Sequence, residues 1–114
     1  MPYLKIQTNI KIENKNQLLT DATAFLSELL GKPVQYIMIV VEHKMEMKFA
    51  GTDGPLAFLE LKSIGLPENE TTILSGKICD FIQETINIPK ERVYIEFFNA
   101  HRHMFGWNGK TFEK

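Results

Sequence analysis

Residues 36–41 read YIMIVV, an unbroken apolar and β-branched run of strand length. A strand with one face in water alternates in polarity, whereas a strand that is apolar at every position is expected to be buried on both faces. A sheet built around this run needs a cover on each side. In a chain of 114 residues, two amphipathic helices can supply one cover, and few elements are left to supply the other. The run therefore predicts a sheet with one face closed by helices and one face closed by another copy of the chain.

The remaining elements fit that plan. Tyr3 to Gln7 alternate and read as a short strand. Asn14, with Gln17 three residues on, reads as a capping box opening a helix. Leu18, Ala22, Phe25 and Leu29, widened by Leu19, Leu26 and Leu30, form its apolar stripe. Gly31 stands at the C′ position and Pro33 follows. The run YIMIVVE is the second strand, GTDGP a turn, and LAFLELKSIG a third strand ending at Gly65. Pro67 to Asn69 lead into a second helix reaching Ile86, with Leu74, Ile78, Phe81 and Ile82 inward, and Gly76 is read as a close-packing position. Pro89 closes that helix, RVYIEFF is a fourth strand, and Asn108-Gly109 marks a terminal two-residue hairpin.

The order is thus β-α-β twice, followed by a hairpin. The halves echo each other, since Pro33 precedes QYIMI as Pro89 precedes RVYIE, and Tyr36 and Val93 lie about 57 residues apart. With right-handed crossovers, both helices fall on one face of a four-stranded sheet. Residues 1–114 are read as a single α/β (α+β) domain.

Composition removes several functions. The net charge is −1 and no basic run occurs, which argues against a nucleic-acid partner. No stretch approaches the roughly 20 apolar residues of a membrane span, and no secretory leader is read, so the expected location is cytoplasmic. The lone cysteine, Cys79, reads as a structural thiol in the second helix. His101 and His103 form an H-x-H pair without a third ligand, so they are read as exposed loop residues, and His43 as a surface residue. No metal or cofactor is expected.

Five segments, MPYLKIQTN, GKPVQYIMI, LKSIG, RVYIEFF and GWNGKTF, together resemble the macrophage migration inhibitory factor and D-dopachrome tautomerase family of the tautomerase superfamily, end to end and at near-constant spacing. The resemblance implies a homotrimer whose sheets line a central barrel. It implies keto–enol tautomerisation of phenylpyruvate-like α-keto acids, with Pro2 as general base once Met1 is removed. Such a base needs a pKa near the operating pH, which burial and a neighbouring lysine both favour.

It further implies that Lys32 pairs with the substrate carboxylate and that the Ile64 backbone N–H holds a substrate oxygen. Tyr36 and Trp107 would form pocket walls and Phe112 the rim, while Tyr94 would come from the adjacent subunit. The chain departs from the family pattern in carrying Glu96 after VYI, Phe105 before GW, and Lys62 where LHSIG has histidine. It also lacks the cysteine pair of the mammalian cytokine. A competing reading is a cytokine-like protein that binds a cell-surface receptor, exported without a signal peptide, with weak or vestigial tautomerase activity.

Overall fold

In the computed structural model, which describes residues 1–113, the chain enters at once into β1 (Tyr3–Thr8) and continues through α1 (Lys15–Leu30), β2 (Met38–Glu42), β3 (Ala57–Ile64), α2 (Thr71–Ile86) and β4 (Val93–Ala100). A small hairpin of β5 (Gly106–Trp107) and β6 (Lys110–Thr111) follows. The main sheet has four strands in the order β2-β1-β3-β4. β1 runs parallel to β2 and antiparallel to β3, and β3 runs parallel to β4. Each parallel pair is joined through a helix, as the repeated β-α-β reading requires.

Local chemistry sets the helix ends. The Asn14 side chain accepts a 3.0 Å hydrogen bond from the Gln17 N–H, capping α1. Only this half of the expected capping box forms, because the Gln17 amide reaches forward to Asp21 at 2.8 Å. Gly31 takes a left-handed conformation (φ 64°) and its N–H returns to the Ser27 carbonyl, closing the helix as expected. At α2 the same closure falls to Asn87, which also tolerates positive φ.

Alternation divides the sheet into two faces. Leu4 and Ile6 of β1, with Leu59 and Leu61 of β3, are fully buried and share a core with Leu26 of α1 and Leu74, Ile78 and Ile82 of α2. Phe25 and Phe81 stack at 4.3 Å where the two helices meet. Both helices therefore cover the same face. Cys79 belongs to this layer, and burial pushes its thiol pKa up, away from the reactive thiolate.

The other face is more mixed than the sequence suggests. Register places Met38, Tyr3, Lys62 and Phe98 in one row, Val40, Lys5, Glu60 and Glu96 in the next, and Glu42, Gln7, Phe58 and Tyr94 in a third. The central strands contribute Lys5, Glu60 and Lys62, and the outer strands contribute Met38, Val40, Phe98 and Tyr94 together with Glu42 and Glu96. β2 and β4, the most apolar strands, are thus the sheet's edges rather than its middle. Tyr94 and Phe98 are 62% and 57% exposed.

Other readings also change. Val34–Tyr36 forms a 3-10 turn, held by N–H groups of Tyr36 and Ile37 on the Pro33 and Val34 carbonyls, so the second strand starts only at Met38. His43 is half-buried, and its Nδ1 accepts from the Ile12 N–H at 3.0 Å. Gly76 is exposed, and a methyl group there would meet no heavy atom within 4 Å, so it is not a close-packing glycine. Replacing a glycine inside a helix by alanine removes backbone entropy from the unfolded chain. Gly76→Ala is expected to stabilise the protein by about 0.5–1 kcal/mol in urea unfolding; a loss of stability would mean that this helix face is packed.

Candidate active site

β1 lies between two strands, and its first residues are fixed by pairing on both sides. Pro2 has no N–H to offer a ladder, and none is needed at this position. Its carbonyl accepts a 3.0 Å hydrogen bond from the Met38 N–H. The pyrrolidine ring is fully buried. It forms part of the wall of a cavity of about 450 Å³.

The C-terminal hairpin builds the opposite wall. Asn108 and Gly109 both take positive φ (55° and 74°), the conformation a two-residue hairpin turn demands. Arg102 Nε donates to the Phe112 carbonyl at 2.9 Å, and the Phe112 N–H donates to the Phe105 carbonyl at 3.2 Å. These bonds set the aromatic rings in order. Trp107 stacks on Phe112 at 5.8 Å, Phe105 meets Phe112 edge-on at 6.1 Å, and Tyr36 meets Trp107 edge-on at 5.8 Å. Offset and edge-on pairs of this kind hold one another's orientation.

Of the residues singled out in the sequence, Pro2, Tyr36, Phe105, Trp107 and Phe112 all line this cavity. Lys62, which stands where the family pattern has histidine, lines it as well. Tyr3 and Met38 were missed as site residues. They enter as the neighbours of Lys62 across the open sheet face, a signal visible only once the register is known.

Four expected residues lie outside the lining. Lys32 follows Gly31, half-buried and without an ion pair among the described residues. Its charge nevertheless acts on the chain terminus: the Met1 ammonium has a pKa below its ordinary value, first because it is partly desolvated and second because Lys32 repels it. Ile64 is the buried last residue of β3 and precedes Gly65, which has φ 69°. Tyr94 pairs with Phe58, four residues before Lys62 in β3, which places it about 13 Å along the strand from the cavity. Its ring packs on Phe49 at 4.8 Å. Glu96 lies on the open face opposite Glu60, not in the cavity of its own chain.

His101 and His103 are exposed with stacked rings, and no group of three metal-ligating side chains gathers among the described residues. No helix among them is long and apolar enough to cross a membrane.

Paired β-α-β units on one mixed sheet, with a buried proline at the head of a central strand and an aromatic, cation-bearing cavity beside it, define a narrow class of protein. The family described as macrophage migration inhibitory factor (MIF) matches residues 1–113. The macrophage migration inhibitory factor of Xenopus tropicalis is 36% identical, with 98% of this chain and 99% of that protein covered. The Trichinella spiralis homologue is 33% identical over 98% of this chain and all of that protein. Among solved structures, the Prochlorococcus marinus homologue superposes with a TM-score of 0.90 at 35% identity, covering 97% of this chain and 99% of that one. The chain belongs to the macrophage migration inhibitory factor family.

Removing the Lys32 charge removes one of the two causes that depress the terminal amine. Lys32→Ala is expected to raise the pKa of the Met1 amine toward its ordinary value, read by titrating the amine by NMR. An unchanged midpoint would show that Lys32 does not act on the terminus.

Proposed function

We propose that this chain, once Met1 is removed, is a keto–enol tautomerase of phenylpyruvate-like α-keto acids in which the Pro2 amine is the general base. The observation that carries this reading is the burial of Pro2 in the wall of an aromatic cavity, at a terminus whose amine is already depressed by burial and by Lys32. While Met1 is in place the Pro2 nitrogen is an amide and has no basic lone pair. After the cut it becomes a secondary amine, one residue deeper in the same environment.

The chemistry follows from that amine. The neutral nitrogen takes a proton from the carbon next to the ketone. The C–H electron pair moves into the new C=C bond, and the ketone oxygen gains the charge and then a proton. The reverse sequence returns the ketone, so the change is an isomerisation with no oxidant or reductant. Lys32 would hold the carboxylate, and the Ile64 N–H would support the enolate oxygen. Tyr36, Trp107, Phe105 and Phe112 would receive the aromatic ring.

Assembly as a homotrimer completes the proposal. β2 and β4 are apolar edges with a ladder partner on one side only, and an uncovered edge of this kind invites pairing. Tyr94, exposed and remote from its own cavity, is then available to a neighbouring one. Glu96, two residues on and on the same face as Tyr94, is remote from its own cavity and would be presented, like Tyr94, to the neighbouring one.

The test is to follow enol–keto conversion of phenylpyruvate by absorbance, with loss of Met1 confirmed by intact mass. The processed protein should exceed its Pro2→Gly variant by about 10²-fold or more in kcat/KM. Because the active form is the neutral amine, kcat/KM should rise with pH through the amine's pKa. It should reach its plateau at a lower pH than a solvent-exposed prolyl amine would. Equal rates for the two proteins would remove Pro2 as the base.

A further inference from the structure

Arg92 ends the 3-10 turn ahead of β4 and forms no ion pair among the described residues. Its guanidinium is directed instead at the loop between β2 and β3. Nε donates to the Pro55 carbonyl at 2.9 Å and Nη1 to the Phe49 carbonyl at 3.2 Å, while Nη2 donates to Thr52 and Gly54 at 3.3 and 3.1 Å. A planar guanidinium can supply that fan of donors, and a lysine ammonium cannot.

The part of the loop it grips is itself tightly turned. Phe49 and Thr52 exchange backbone hydrogen bonds of 2.9 and 3.0 Å around Ala50 and Gly51, both at positive φ (53° and 76°). Phe49 stands at the base of that turn, half-buried. Its ring centre is 5.4 Å from the Arg92 guanidinium carbon and 4.8 Å from the ring centre of Tyr94. Tyr94 is 62% exposed, and Phe49 is the aromatic ring that packs on it among the described residues. An exposed side chain without such a neighbour exchanges rotamers freely.

We propose that Arg92 is a positioning residue: by fixing the loop it holds Phe49, and Phe49 holds the Tyr94 ring ready for the cavity of a neighbouring subunit. The role rests on reading that cavity as a tautomerase site shared between subunits. Arg92 touches no substrate. It acts through Tyr94, so its effect belongs to substrate binding and not to proton transfer at Pro2.

The experiment measures kcat and KM for phenylpyruvate in the Met1-free protein, Arg92→Lys, Phe49→Leu, Tyr94→Ala and the Arg92→Lys/Tyr94→Ala double variant. Oligomeric state is matched by sedimentation. Binding of 3-phenylpropanoate is read in parallel from Trp107, the single tryptophan and part of the cavity wall, which reports occupancy without catalysis.

Arg92→Lys and Phe49→Leu should each raise KM about fivefold, with kcat and its pH midpoint unchanged. Tyr94→Ala should raise KM at least as much, and adding Arg92→Lys to it should change nothing further. Phe49→Leu leaves the carbonyl contacts of Arg92 in place, so it tests the same chain of contacts if Arg92→Lys fails to fold. Equal effects of Arg92→Lys with and without the Tyr94 ring would mean that Arg92 merely stabilises the loop and would overturn the proposal. So would an unchanged KM in Tyr94→Ala, or a fall in kcat alone. Failure of the tautomerase reading would look different: no turnover in any of the proteins, with the coupling of Arg92 to Tyr94 still present in 3-phenylpropanoate binding.

Discussion

The site depends on β1 being a central strand. The first residues of a chain usually fray, because nothing holds them on either side. Here β1 pairs in parallel with β2 and antiparallel with β3, so the terminus is held by two ladders. Pro2 sits just ahead of that pairing, where its missing N–H leaves no gap, and its carbonyl is held by Met38. Leu4 and Ile6 anchor the same strand in the core below. Loosening β1 would release Pro2, Tyr3 and the row that carries Lys62 together.

The same arrangement explains where the apolar surface went. Placing the mixed strands β1 and β3 in the middle moves YIMIVV and VYIEFF outward to the edges. The sequence reading correctly found too much apolar strand for a lone sheet. It assigned the excess to a whole face, whereas the register mixes Lys5, Glu60 and Lys62 into the centre of that face and Glu42 and Glu96 among the apolar residues of its borders. An edge that is apolar as well as unpaired is a stronger demand for a partner than a mixed face alone.

Much of the fold was legible because short-range chemistry carried it. The Asn14 cap, the Gly31 closure and the Asn108-Gly109 turn each rest on residues within a few positions of one another. What failed were features that depend on distant neighbours or on competition. Gln17 had a nearer partner in Asp21, and Tyr36 was drawn into a turn by the Pro33 carbonyl. Arg92 drew no notice as a lone basic residue. It gathers the carbonyls of Phe49, Thr52, Gly54 and Pro55, pinning the loop between β2 and β3 to the start of β4. In the site, Pro2 and the aromatic residues were recognisable from resemblance to a family, not from spacing. Tyr3 and Met38 needed the register.

The central claim is that function resides in an amine exposed by removing one residue. The most direct measurement compares phenylpyruvate enolisation by two preparations of the same chain, one retaining Met1 and one lacking it, each verified by intact mass and matched in oligomeric state. The claim predicts turnover only in the preparation with a free Pro2 amine. Equal turnover in both would contradict it, because the retained Met1 makes the Pro2 nitrogen an amide with no basic lone pair with which to act.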